Sequence, residues 1–169
     1  MFQGPDEFYT GLAVQHLDEL SKKHPQKRFV EYSGGTFPFK NTEFDWVFSN
    51  AVIEHVGDKR AQLYFVNEML RVGQNVFFTT PNKNFFVETH TNLILLHWLP
   101  GEAFYRWCAR RRPDITRENL SLMSYNDLVY LMKKSAACDY HIYKNLFLNW
   151  AMTFTVVCKG GNSEDLRRT

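Results

Sequence analysis

Residues 37–56, FPFKNTEFDWVFSNAVIEHV, decide how this chain is read. Within them, residues 44–49 (FDWVFS) are nearly all apolar or aromatic. A strand covered on both faces has that composition. Just downstream, Lys59–Val72 places Leu63, Val66, Met69 and Leu70 on one helical face, with Gly73 as the stop. Residues 75–80 (NVFFTT) then give a second buried strand, ended by Pro81 and Asn82. Strand, helix and strand in that order predict a parallel βαβ unit.

Working outward, residues 9–14 (YTGLAV) and 28–33 (RFVEYS) are further strands of the parallel core, the second followed by the turn pair Gly34-Gly35. Residues 15–23 between them suit a surface helix closed off by Pro25. Residues 83–122 differ in character, being rich in aromatics, His and Arg, and predict an insertion or lid of short helices over one edge of the sheet. Ser124 opens a helix with Asp127 three residues on, an acidic relative of the capping box. Leu128, Leu131 and Met132 form its apolar face. Residues 140–144 and 153–159 are the last strands. Their short connection demands an antiparallel hairpin. The expected fold is α/β: a truncated, Rossmann-like, mostly parallel sheet with an antiparallel final strand, in one domain over residues 1–169 with a flexible tail at 160–169.

A chain of 169 residues, 44% apolar and 16% aromatic, can bury a core and is not disordered. No apolar run approaches the roughly 20 residues of a membrane helix, so stable membrane insertion is not expected. A formal charge of +2 does not argue for nucleic acid. The N-terminus MFQGPDEF lacks the basic and apolar regions of a secretory signal. Cys108, Cys138 and Cys158 lack C-x-x-C spacing and are expected to be reduced, buried, small apolar residues of a cytoplasmic protein.

Residues 37–56 closely resemble class I S-adenosylmethionine-dependent methyltransferases, in particular the type 11 group. The likeness rests on Phe37-Pro38-Phe39, Phe44-Asp45, the strand to Ser49, Asn50, Glu54-His55, and Arg71-Val72-Gly73. Residues 79–100, TTPNKNFFVETHTNLILLHWLP, look like a bacterial branch with a Thr-Pro-Asn strand end and an insertion containing His-Thr and His-Trp-Leu-Pro. The resemblance implies S-adenosylmethionine as cofactor and a small-molecule methyl acceptor. It places cofactor contacts at Gln15, Gly35, Thr36, Phe37 and Asn50.

Departures from the family pattern accompany the match. The family's first strand and its Gly-x-Gly-x-Gly loop would fall before Tyr9, where eight residues stand with Gly4 as their one glycine. The acid expected to accept the ribose hydroxyls is Gln15, and the acid expected near the adenine is replaced within Gly34-Gly35-Thr36. Cofactor binding is therefore expected to be weak or lost. A strand at 44–49 lacking its neighbour would expose an apolar edge, so a homodimer is expected.

Glu54 and His55 follow the carboxyl end of a central strand, where open parallel sheets bind ligands. His55 suits a general base with Glu54 beside it; alternatively the pair caps a helix and fixes the loop. Glu88, His90 and His97 either bind or help deprotonate an acceptor hydroxyl or amine, or His90 and His97 satisfy loop carbonyls under a lid. Glu88 and His90 have no convincing third ligand, so no metal is expected. Arg106, Arg110, Arg111 and Arg112 form either an anion site or a solvated helix face beside Asp114. Two functions stand: methyl transfer to a small molecule, or a non-catalytic methyltransferase-like module acting through protein contacts.

Overall fold

The computed structural model describes residues 9–88, 93–98 and 101–160. The chain divides after Phe39 into two compact units.

In the first unit, β1 (Thr10–Ala13) pairs in parallel with β2 (Arg28–Glu31), and α1 (Asp18–Lys23) connects them. The helix begins three residues later than the sequence suggests. Leu17 donates its N–H to Glu31 Oε1 at 2.6 Å, which keeps residues 15–17 as the turn out of β1. Asp18 and Glu19 at the start and Lys22 and Lys23 at the end then suit the helix dipole.

The second unit runs β3 (Phe44–Asn50), a 3-10 turn (Ile53–His55), α2 (Lys59–Val72) and β4 (Gly73–Pro81). Short strands β5 (Val87–Glu88) and β6 (Leu93–Ile94), a second 3-10 turn (Leu96–Trp98) and α3 (Gly101–Arg111) follow. The order closes with α4 (Tyr125–Lys134), β7 (Ala137–Phe147) and β8 (Trp150–Gly160). Four strands form one sheet in the order β3-β4-β8-β7. β3 and β4 are parallel, while β8 is antiparallel to both β4 and β7. The α/β class, the parallel pairings and the antiparallel end agree with expectation, but β1 and β2, expected in the same core as β3 and β4, form a two-stranded sheet of their own. The last two strands are longer than predicted, because polar residues such as Asp139 and Asn145 face water on an outer strand.

Both helices of this sheet are capped as their sequences imply. Asp58 accepts from the backbone N–H groups of Arg60 and Ala61, and Ser124 with Asp127 makes a full capping box. Lys59 Nζ reaches Asp127 at 2.8 Å and ties α2 to α4. Burial opposes ionisation of Asp127, but the hydrogen bonds from Lys59 and Ser124 prevail and hold its carboxyl at about 2.

Strand alternation separates the two faces of the sheet. Val76, Phe78, Phe154, Val156 and Cys158 are buried on the face that also buries Val66 and Met69 of α2 and Leu128 and Met132 of α4. The opposite face carries Trp46 and Phe48, 60% and 61% exposed. Phe48 stacks on Phe77 at 5.1 Å. β3 is therefore covered on one face, not two. Its aromatic set, Phe44, Trp46 and Phe48, lies on the open side, while Asp45, Val47 and Ser49 form the other set, so composition alone points to the wrong face.

Two further expectations change. Cys108 and Cys158 are buried, but Cys138 is exposed, at a bulge between Ala137 and Asp139 on the outer strand. Burial pushes the Cys158 thiol up to about 12, with Cys138 adding to the shift. Gly73 does stop α2, but its φ of −116° is extended and not left-handed. What requires glycine is space: a Cβ there would lie 2.5 Å from Val47 Cγ2. Gly73→Ala should therefore force β3 and α2 apart and cost about 1–3 kcal/mol in urea unfolding. A loss below about 0.5 kcal/mol would show that the close approach is not constraining.

Candidate active site

The carboxyl ends of β3 and β4 lie side by side, with Asn50 opposite Thr79. Thr79 Oγ1 donates to Asn50 Oδ1 at 2.6 Å. It also accepts from Ala51 N at 3.2 Å. Ala51 takes a φ of 51°, a conformation that costs a non-glycine residue about 1 kcal/mol. This knot turns the chain sharply out of the strand. It leaves the Asn50 amide nitrogen, with its two donors, on an exposed residue.

The chain then enters the 3-10 turn, where Ile53 and Glu54 are fully buried. Glu54 Oε2 accepts from Thr80 Oγ1 at 3.0 Å, and its backbone oxygen accepts from Ser121 N at 2.7 Å. Gln62, also buried, donates from Nε2 to Ile53 O at 3.3 Å and to Ser121 O at 2.9 Å. Glu54 is thus a buried tie between the turn and β4, away from solvent.

His55 is exposed. Its Nδ1 lies 2.8 Å from Asn119 O. A carbonyl only accepts, so Nδ1 carries the proton and the neutral ring holds its basic lone pair on Nε2. Asn119 is fixed in turn, donating from Nδ2 to Asp114 O at 2.6 Å and accepting from Thr116 N at 2.7 Å. A backbone carbonyl 64 positions downstream therefore sets the tautomer of His55.

In the first unit, Gln15 and Thr36 are exposed. Gly34 and Gly35 have φ of 88° and 80°, and open space surrounds the Cβ position of each. Conformation, not crowding, favours glycine there. Phe37 is buried, edge-on to Tyr32 at 5.6 Å. Burial raises the Tyr32 hydroxyl. The acid of this region is Glu31, which the sequence reading passed over. The backbone N–H of Leu17 holds its carboxyl below the ordinary range, with His16 adding to the effect.

Glu88 lies in β5 and His97 in the second 3-10 turn, with side chains outside the described part of the structure, and His90 lies outside the described residues. The segment before α4 does carry a core of its own, Phe104, Cys108, Ile115 and Leu120. Arg112 pairs with Asp114 through Nε at 3.1 Å and an outer nitrogen at 2.9 Å. Arg106, Arg110 and Arg111 are exposed on α3. No three His, Cys, Asp or Glu side chains gather as metal ligands among the described residues.

Thr79, Thr80, Gln62 and Asn119 were missed in the sequence. Gln62 carries a usable signal: it stands at i in an i, i+4, i+7 series with Val66 and Met69, a polar residue on a buried helical stripe. Asn119 carries none, because a backbone carbonyl does the work.

Residues 10–77 match the family model of the methyltransferase domain. No curated protein sequence matches the chain. Among solved structures, a SAM-dependent methyltransferase from Methanosarcina mazei aligns with a TM-score of 0.55 at 13% identity, covering 89% of this chain and 81% of that one. A SAM-dependent methyltransferase from Thermotoga maritima, described as a possible histamine N-methyltransferase, gives 0.58 at 13% identity, covering 90% and 73%. A possible exported protein from Bordetella parapertussis gives 0.56 at 11% identity, covering 90% of this chain and 53% of that one. The resemblance to class I methyltransferases of the type 11 group therefore holds, in the matched segment and in the Rossmann-like fold.

Replacing Thr80 by the isosteric Val removes the hydroxyl from a buried carboxyl group. Thr80→Val should cost about 1–3 kcal/mol in chemical unfolding. A neutral result would mean that Glu54 does not depend on this donor.

Proposed function

We propose that the chain transfers a methyl group from S-adenosylmethionine to a small-molecule acceptor, with His55 as general base. The observation that carries this reading is the exposed His55 ring, held through Nδ1 by Asn119 O so that Nε2 is the basic nitrogen, in the turn that follows the end of β3 at Asn50. The cofactor, when bound, supplies an electrophilic methyl on a sulfonium. Asn50 offers amide donors, oriented by Thr79, that suit its polar groups. His55 Nε2 takes the proton that the acceptor's hydroxyl or amine releases as its bond to the methyl forms. Glu54, buried against Thr80, acts through position, holding the turn that presents His55. On the sequence alone, Glu88, His90 and His97 contribute to acceptor binding. Gln15, Gly35, Thr36 and Phe37 are, on the sequence alone, further cofactor contacts. Three free thiols support a cytoplasmic setting.

Cofactor binding by this chain is weak in this account. An amide stands at Gln15 where the family has a carboxylate, and residues 34–36 carry no acid. Each lost charged hydrogen bond costs about 1.5–3 kcal/mol, against about 8 kcal/mol for micromolar binding. Calorimetric titration with S-adenosylhomocysteine should give a dissociation constant near millimolar. A value of a few micromolar would overturn the weak-binding reading. No binding at millimolar ligand by a folded chain would favour the second reading, a non-catalytic module working through protein contacts, for which the exposed Trp46 and Phe48 speak.

β3 is the outermost strand of the four-stranded sheet among the described residues, and its edge is the surface through which we expect two copies to pair. Light scattering at micromolar concentration should give the mass of a dimer. A monomer would refute the pairing.

A further inference from the structure

Three separate segments of the second unit meet at the end of the sheet where β7 turns into β8. Trp150, the first residue of β8, contacts Phe86 at 5.9 Å and Trp98 at 6.3 Å, and Phe85 contacts Phe147 at 6.3 Å. The rings brace one another, yet the surface they support is open. Leu148 is 81% exposed and Ile94 69%, and Leu95, Trp98, Leu146, Phe147 and Trp150 are also exposed. A soluble monomer rarely shows contiguous apolar surface of this kind without a use for it.

Backbone conformation makes the point sharper. Leu148 and Asn149 form the hairpin turn with φ of 48° and 62°, and Leu95 has a φ of 59°. Positive φ at both central positions favours Asn and Gly in a two-residue turn. A branched apolar side chain there is strained, and being exposed it gains nothing from the core. Two exposed leucines hold this strained conformation on one surface. Folding stability does not account for either of them.

Charge indicates what the surface meets. Residues 83–88, 93–98 and 144–153 contain no Asp and a single Glu, Glu88, while Lys83 and Lys144 are exposed at their bases. Leu96 of the same 3-10 turn packs on the core of α3, whose Arg106, Arg110 and Arg111 are exposed. An apolar tip with interfacial tryptophans, backed by cations and almost free of acids, matches an anionic bilayer surface. We propose that this tip is a docking surface for anionic lipid membranes, dipping Leu148, Phe147 and Trp150 among the headgroups while the lysines and arginines meet lipid phosphates. The docking is reversible and peripheral, since no helix among the described residues is long and apolar enough to cross a membrane. It stands independently of methyl transfer.

The test is flotation of the purified chain with vesicles of phosphatidylcholine alone and of phosphatidylcholine mixed with phosphatidylglycerol. The expected result is flotation with the anionic vesicles, weakening as salt rises. Leu148→Asn places a favoured residue in the turn, so the fold should be as stable or more so. Its partition onto anionic vesicles should fall about tenfold, the worth of one buried leucine. Tyr130→Ser, exposed on α4, should leave partition unchanged. Absence of flotation at low salt, or equal flotation of Leu148→Asn and the parent chain, would overturn the proposal. So would self-association that Leu148→Asn abolishes without any vesicle binding, which would assign the tip to a second copy.

Discussion

Glu54 sits in the interior with a single turn of backbone around it, and much of the second unit is arranged to make that tolerable. A carboxyl group taken from water costs several kcal/mol unless polar partners meet it. Thr80 of β4 meets the side chain, Ser121 meets the backbone carbonyl, and Gln62 of α2 binds the flanking carbonyls of Ile53 and Ser121. These contacts join the end of β3, the start of α2, the end of β4 and the 114–121 loop. The same loop supplies the carbonyl that orients His55. A buried residue without contact to solvent thereby decides where an exposed one points.

The two-faced character of the sheet is the second constraint. One face is sealed by α2 and α4, and the other carries Trp46, Phe48 and Tyr143 toward solvent. The parallel β3–β4 pair ends at Asn50 and Thr79, and the antiparallel β7–β8 hairpin ends beyond Pro81 at the same edge, because Pro81 pairs with Thr153 and Thr153 with Asn145. Polar chemistry and an apolar tip are thus brought to one edge by strand register alone. The turn out of β3 and the turn joining β7 to β8 both use left-handed backbone at residues other than glycine.

The β3-α2-β4 unit was legible because its signals are local. Helical spacing and Gly73 set the bounds of α2, and Ser124 with Asp127 announced α4. Asn50, Glu54 and His55 were legible as a cluster at a strand end. The burial of Glu54 was not, since its partners come from β4 and from the loop before α4. The open face of β3 was hidden because Trp46 and Phe48 resemble core residues in composition. Asn119 was invisible because its contribution is a main-chain oxygen. Glu31 carries no sequence signal, because its hydrogen bond to Leu17 N depends on the β1–β2 register.

The most direct test of the central claim, that the end of β3 and β4 is where the cofactor is met, is a two-dimensional amide NMR titration of the labelled chain with millimolar S-adenosylhomocysteine. That method detects binding too weak for most others. The account predicts shifts at residues 50–55, 79 and 80 and at the proposed contacts 15 and 35–37, with the His55 ring keeping its Nδ1 proton. Shifts confined to the β7–β8 tip, or a folded chain with no shifts at all, would contradict it.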